Sequence, residues 1–176
     1  MNIRVANDSD LEAIREIHLG AFDDKENEIV ADLAINLLTE ISSPKTIALV
    51  AEISDILVGH VSFSPVRLKI DKQLLGYILA PLAVKPEYQK SGIGSKLVKG
   101  GLQQLTRQDI YISFVYGDPN YYRRFGFVGD LAQRFFPPYT LQYPVGWQAI
   151  ELNSERRSTS SGSVECVSSL CKPELW

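Results

Sequence analysis

Apolar residues recur at helical spacing twice in the first part of the chain, after one short run with the alternation of a strand. Residues 3–6 predict a first strand. Ser9 and Glu12 then fit a capping box at the start of a helix, and a second helix is predicted over residues 26–41, before Pro44. The apolar faces of the two helices comprise Leu11, Ile14, Ile17, His18 and Ala21 in the first and Val30, Leu33, Leu37, Leu38 and Ile41 in the second.

Strand patterns dominate the segment that follows these helices. Residues 46–53 and 56–66 predict a hairpin whose turn is formed by Ser54 and Asp55. A third antiparallel strand is predicted to begin at Leu75. Together these patterns predict an antiparallel sheet built after two helices.

The pattern then changes abruptly from strand to helix. Residues 78–84 predict a buried strand, Pro86 ends it, and helical spacing begins at Gly94. Gly92 and Gly94 remove side chains from the turn between the two elements. A helix N-terminus carries unpaired N–H donors and partial positive charge, and glycines let an anion approach those donors. The turn is predicted to bind a phosphate or pyrophosphate, with glycines that serve only close packing as the alternative.

Two well-known phosphate loops do not fit this turn. A dinucleotide fingerprint needs a third glycine where Leu97 stands, and a P-loop needs one where Gln89 stands. The pattern that fits is Q-x-x-G-x-G, formed by Gln89, Gly92 and Gly94. This pattern resembles the pyrophosphate loop of the GCN5-related N-acetyltransferases (GNAT), which bind acetyl-CoA.

A second motif of that family lies after a predicted strand at residues 111–116. Tyr122, Gly126 and Phe127 match the pattern Tyr-x-x-x-Gly-Phe. The resemblance implies that Tyr122 protonates the departing thiolate, whereas Tyr121 is one residue out of register. Adjacent helical residues point about 100° apart, so at most one of the two tyrosines faces the thioester. The alternative is that both rings pack in the core.

The resemblance to the YhbS-like bacterial branch of this family covers residues 3–152 and is strongest in residues 58–66 and 79–84. It implies an α/β (α+β) GNAT fold with a central mixed, mostly antiparallel sheet of six to seven strands and helices on both faces. The domain is predicted to span residues 1–153. Residues 154–176 are predicted to be a flexible Ser-rich loop and a C-terminal tail, with an edge strand added to the same domain at residues 162–166.

The resemblance also implies a set of site residues. Tyr122 is the general acid, and the base is open between a water chain, Glu28 and His60, because residues 76–84 contain no carboxylate. A mid-strand histidine such as His60 is more often a packing residue than a base. The implied cofactor-binding residues are Leu82, Ala83, Val84, Gln89, Lys90, Ser91, Gly92, Ile93, Gly94, Ser95 and Asn120.

Composition narrows the class of protein further. The 176 residues are 45% hydrophobic, which suits one compact domain, and the net charge of -3 with no basic stripe argues against a nucleic-acid partner. No signal peptide or membrane span is expected, so the predicted location is cytoplasmic. Cys166 and Cys171 lack the further ligands of a metal site and are predicted to be thiols.

The resemblance, with these observations, implies an acetyl-CoA-dependent N-acetyltransferase that acetylates a primary amine by direct attack, without a metal. The predicted partners are a small-molecule or peptide amine and, in a homodimer, a second copy of the chain. The alternative is a non-catalytic acyl-CoA sensor or interaction module on the same fold. A nucleotide site is disfavoured because no Asp or Thr stands at the spacing that holds a metal.

Overall fold

The computed structural model describes residues 1–176, and its elements follow the predicted order. The strands are β1 (Asn2–Val5), β2 (Ile47–Ile53), β3 (Ile56–Leu68), β4 (Leu74–Val84), β5 (Ile112–Tyr116), β6 (Phe135–Phe136), β7 (Trp147–Glu151) and β8 (Gly162–Glu165). The helices are α1 (Leu11–Ala21), α2 (Asn27–Thr39), α3 (Ile93–Arg107), α4 (Pro119–Tyr122) and α5 (Gly129–Ala132). None of these helices combines the length and apolar character that a membrane crossing requires.

Contacts divide the chain into two compact units. The first unit comprises Met1–Phe63 and Ala80–Gly101, and the second comprises Ser64–Leu79 and Leu102–Trp176. Strands β3 and β4 therefore contribute residues to both units. The predicted domain boundary at residue 153 stays a prediction.

The sheet of the first unit begins as an antiparallel meander. β1 pairs with β2 and β2 with β3, so that Arg4 lies opposite Val50 and Val50 opposite His60. Ser54 and Asp55 form the turn between β2 and β3 with φ values of 49° and 63°. Two successive left-handed residues match the right-handed twist of a hairpin, which confirms the predicted turn.

Helices cover both faces of the sheet in this unit. Ile14 of α1 and Ala34 of α2 pack with Val50 and Ala83 in one buried cluster. On the opposite face α3 lies so close that a side chain at Gly101 would overlap the ring of Phe63. The predicted arrangement of helices on both faces is confirmed here.

The start of α1 differs from the predicted capping box. The side chain of Asn7 accepts a hydrogen bond from Ser9 N at 2.9 Å, and the carboxylate of Asp10 accepts one from Asn7 N at 2.9 Å. A single 3₁₀ turn over Asp8–Asp10 precedes α1, so the helical segment begins two residues earlier than predicted. The predicted box of Ser9 and Glu12 is wrong because Ser9 already lies inside that first turn.

The second unit mixes parallel and antiparallel pairing. Gly76 of β4 pairs with Ile112 of the parallel strand β5, and β5 pairs with β7 in antiparallel register. β8 pairs antiparallel with β3 and parallel with β6. The sheet has eight strands instead of six to seven because β6 has only two residues, too few for a periodic signal.

The core of the second unit is aromatic. Phe114 stacks on Trp147 at 5.1 Å between ring centroids and meets Phe135 edge to face at 5.5 Å. Trp176 is buried, stacks on Tyr116, and donates a hydrogen bond from Nε1 to the carbonyl of Leu170 at 3.0 Å. The segment after residue 153 thus contributes buried side chains to this unit.

Candidate functional site

The predicted phosphate turn is an exposed loop that is tied to the end of β4. After a 3₁₀ turn over Pro86–Tyr88, the Gln89 side chain donates a hydrogen bond from Nε2 to the carbonyl of Val84 at 3.0 Å. Ser91 Oγ donates to the carbonyl of Tyr88. These two bonds order the loop from within, so its backbone conformation is held without help from a ligand.

Two residues with left-handed backbone conformation lie in this loop just before α3. Lys90 has a φ of 60° and Gly92 a φ of 85°. A Cβ placed on Gly92 would meet no heavy atom within 4 Å. Glycine is therefore favoured at position 92 by the left-handed backbone, and the space beside it is open. A glycine required for packing would instead have a close neighbour.

The predicted cofactor residues on either side of this loop differ in exposure. Ala83 is buried in the cluster beneath α1 and α2, while Leu82 and Val84 are half-buried. Ile93 is buried, so only its main chain is available to a ligand. The remaining predicted residues of the loop, which are Gln89, Lys90, Ser91, Gly92, Gly94 and Ser95, are exposed or half-buried.

Tyr122 lies at the end of α4 in the second unit. Asp118 caps this helix by accepting a hydrogen bond from Asn120 N at 2.8 Å, so the main-chain amide of Asn120 is engaged within the protein. The Tyr122 ring covers Gly117, where a Cβ would lie 2.5 Å from Cε2 of the ring. Burial, and next the neighbouring Tyr121, raises the pKa of the Tyr122 phenol. The phenol is thus protonated at neutral pH.

The two adjacent tyrosines have different surroundings. Their ring planes are 83° apart, and Tyr122 also meets Phe127 edge to face at 5.8 Å. The guanidinium of Arg124 lies 4.7 Å from the ring centroid of Tyr121. The two rings nevertheless contact each other edge to face, with their centroids 5.0 Å apart.

The two side chains named as bases have contrasting environments. The carboxylate of Glu28 is 66% exposed and pairs with Arg15 at 2.5 Å. His60 is 0% exposed, and burial, followed by the proximity of His18, holds its pKa well below the usual range. Glu28 is accessible and paired with an arginine, whereas His60 is neutral and closed to solvent.

His60 belongs to a buried hydrogen-bonded series that sequence reasoning missed. His60 Nδ1 and His18 Nε2 are 2.8 Å apart, and His60 Nε2 is 3.2 Å from Ser62 Oγ. The remaining nitrogen of His18, Nδ1, is buried without a hydrogen-bond partner. Burial lowers the pKa of His18 to about 3. The only sequence signal was the position of His18 among the apolar residues of α1.

No group of three or more His, Cys, Asp or Glu side chains is arranged to hold a metal ion. The two cysteines form no disulfide, and burial raises the pKa of Cys166 to about 12. Cys166 is thus a protonated thiol at neutral pH.

Comparisons with known proteins agree with this geometry. The family model described as "Acetyltransferase (GNAT) domain" matches residues 2–128. The uncharacterized N-acetyltransferase YjhQ of Escherichia coli K12 is 32% identical over 168 residues, which cover 93% of this chain and 90% of YjhQ. The uncharacterized N-acetyltransferase YhbS of the same organism is 41% identical over 71 residues, covering 40% of this chain and 41% of YhbS.

Solved structures show the same similarity. YhbS from Escherichia coli in complex with CoA superposes with a TM-score of 0.83 at 26% identity, covering 97% of this chain and 92% of YhbS. A GNAT family acetyltransferase from Brucella melitensis in complex with acetyl-CoA superposes with a TM-score of 0.68 at 30% identity, covering 96% of each chain. The matched domain and the relatives along nearly the whole chain show that this protein belongs to the GNAT family of acetyltransferases.

Proposed function

We propose that this protein transfers an acetyl group from acetyl-CoA to a primary amine by direct attack. The observation that carries the proposal is the exposed loop at Gly92, whose left-handed backbone leads into α3 with open space around it. The solved relatives from Escherichia coli and Brucella melitensis, which hold CoA and acetyl-CoA, support the choice of donor.

The loop fits a pyrophosphate better than it fits the packing alternative. Glycines selected for close helix–sheet contact would show near neighbours, as Gly101 does against Phe63. Gly92 has none within 4 Å, and the first turn of a helix offers unpaired N–H donors to an anion. We assign the loop from Gln89 to Ser95 and the main chain of residues 82–84 to the donor, together with Asn120.

The reaction needs a proton for the departing thiolate. The amine nitrogen attacks the thioester carbonyl, the C–S bond breaks, and the thiolate takes a proton. We assign this proton to the phenol of Tyr122, because the raised pKa ensures that the phenol carries its proton at neutral pH and can donate it as the C–S bond breaks. Water returns the proton to the resulting phenolate.

We assign the proton that the amine loses to a chain of water molecules. Glu28 and His60 are the two side chains that the sequence offered as alternative bases. The exposed carboxylate of Glu28 is the more accessible of the two, although Arg15 holds it in an ion pair. His60 has no exposed surface, so it accepts a proton only through a neighbouring group. A water chain requires neither side chain.

These environments also favour the alternative of a non-catalytic acyl-CoA sensor on the same fold. One candidate base is tied to an arginine and the other is buried as a neutral ring. A sensor would bind acetyl-CoA and release no CoA thiol with any amine. An enzyme would release it in proportion to the amine consumed.

The test is calorimetric titration of the purified chain with acetyl-CoA, with ATP as the control nucleotide. Gly92→Val should abolish binding of acetyl-CoA, because a β-branched residue does not adopt a φ of 85° and its side chain would obstruct the loop. Gly162→Val is the matched control, since Gly162 also has a positive φ and open space around it but lies outside the loop. Absence of binding to the wild-type chain, or equal binding by both variants, would contradict the assignment of the loop.

A further inference from the structure

An open groove lies along the segment that follows β6. It has a volume of about 690 Å³ and is formed largely by the rings of Phe136, Pro138, Tyr139, Pro144 and Trp147. Its size falls within the range of small-molecule sites, which are about 300–1,000 Å³. Aromatic and proline rings present flat apolar walls to a ligand.

The groove contains no charged side chain. No Asp, Glu, Lys or Arg occurs between Arg134 and Glu151, the stretch from which all its lining residues come. Arg134 itself donates hydrogen bonds from Nη2 to the carbonyls of residues 158–160, and Glu151 pairs with Arg157 at 2.8 Å. A second ammonium group on a ligand would therefore find no carboxylate in the groove with which to pair.

Hydrogen bonds connect the groove segment to the residues that precede α4. Tyr143 N donates to the hydroxyl of Tyr116 at 2.9 Å, and Gly117 N donates to the carbonyl of Gly146 at 3.0 Å. Gly117 in turn lies directly against the ring of Tyr122. The segment that lines the groove is thus hydrogen-bonded to the glycine that the ring of the assigned acid covers.

From this juxtaposition we propose that the groove binds the acceptor amine and selects an uncharged, apolar group that carries a ring. The inference rests on the proposed acetyltransferase function and names the substrate class of that site. Arylalkylamines are favoured, because a ring stacks on the groove walls while the single amine remains for reaction. Aliphatic diamines and polyamines are disfavoured, because their second ammonium finds no carboxylate there.

Binding is tested on the full chain with 2-phenylethylamine and 1,5-diaminopentane, with CoA added. The reporter is the NMR signal of the Trp147 indole, whose Nε1–H donates to the carbonyl of Phe135 at 2.8 Å. The aromatic amine should shift this signal and the diamine should not. No shift with the aromatic amine, or equal shifts with both, would overturn the inference.

Transfer is tested by release of CoA thiol with the same two amines in two alanine variants. Phe136→Ala removes an exposed ring of the groove, and Tyr143→Ala removes an exposed ring from the same segment outside it. The KM for 2-phenylethylamine should rise about tenfold in the first variant and stay unchanged in the second, since loss of one ring contact removes a modest part of the apolar binding energy. Equal KM values in both variants would contradict the assignment of the groove.

The two proposals fail separately. Acetylation of the diamine but not of the aromatic amine would overturn the inference and leave the acetyltransferase function standing. A Trp147 shift with the aromatic amine in a chain that does not bind acetyl-CoA would support the ligand class of the groove and overturn the proposed function.

Discussion

Acidification should destabilise this protein through its two buried histidines. His18 and His60 are both 0% exposed and share one hydrogen bond. If His18 gained a proton, its Nδ1–H would be buried without a partner, and the charge would lie beside a second imidazole. Both rings are therefore neutral in the folded state, whereas both are accessible to protons in the unfolded chain.

The size of the effect follows from the pKa of His18. The pKa falls from 6.5 in the unfolded chain to about 3 in the folded protein, chiefly because of burial. Stability is therefore complete above pH 6.5 and declines as the pH falls from there toward 3. At about pH 5 the unfolded state binds a proton that the folded state does not, which costs about 2 kcal/mol for His18 alone.

Other titratable groups either add to this loss of stability or leave it unchanged. His60 acts in the same direction, because burial and then His18 lower its pKa, although the charge of Asp10 opposes the shift. Asp10 is itself held by Arg4 with its pKa below the usual range, so it stays charged at about pH 5. The chain contains no third histidine. The pH dependence in this interval thus reports chiefly on the buried pair.

Urea unfolding at about pH 7.5 and about pH 5 measures the effect. The wild-type free energy of unfolding should fall by at least about 2 kcal/mol, and the double variant His18→Leu, His60→Leu should lose most of this dependence. Replacing both rings together leaves no unpaired imidazole, and the hydrogen bond that Ser62 loses is lost equally at both pH values. Equal wild-type stability at the two pH values, or an undiminished fall in a folded double variant, would refute the reasoning.

Two matched pairs of substitutions test the packing of α3 and the role of Tyr122. Gly101→Ala should cost about 1–3 kcal/mol in urea unfolding, because its methyl group would overlap Phe63, whereas Gly100→Ala, whose nearest contact is 3.5 Å, should gain about 0.5–1 kcal/mol of helix propensity. Equal effects would show that α3 can shift. Tyr122→Phe should lower kcat about a hundredfold with unchanged acetyl-CoA affinity, and Tyr121→Phe should change neither. A normal kcat in Tyr122→Phe would exclude the phenol as the proton donor.

Most helices and strands were predictable because their signals are local. The turn at Ser54 and Asp55 and the glycine loop before α3 depend on the backbone preferences of a few adjacent residues. The capping box was misplaced by two residues because Asn7 caps a 3₁₀ turn that precedes α1, and the apolar spacing of α1 does not reveal that turn. β6 has two residues and depends on β8 for its pairing, so no periodic pattern marks it.

The sequence by itself determined the order of the elements, the left-handed loop that leads into α3 and the resemblance to an acetyltransferase, because each depends on residues close together in the chain. The tertiary structure alone decided which polar groups are buried together. His18 and His60 are 42 residues apart and meet only when α1 packs on β3. Gly117 acquires its link to the apolar groove only when β5 pairs with β7. Burial is a property of the packed molecule, and it sets the charge of a histidine. The set of side chains that line a groove is also decided by packing, and it sets which ligand the groove accepts.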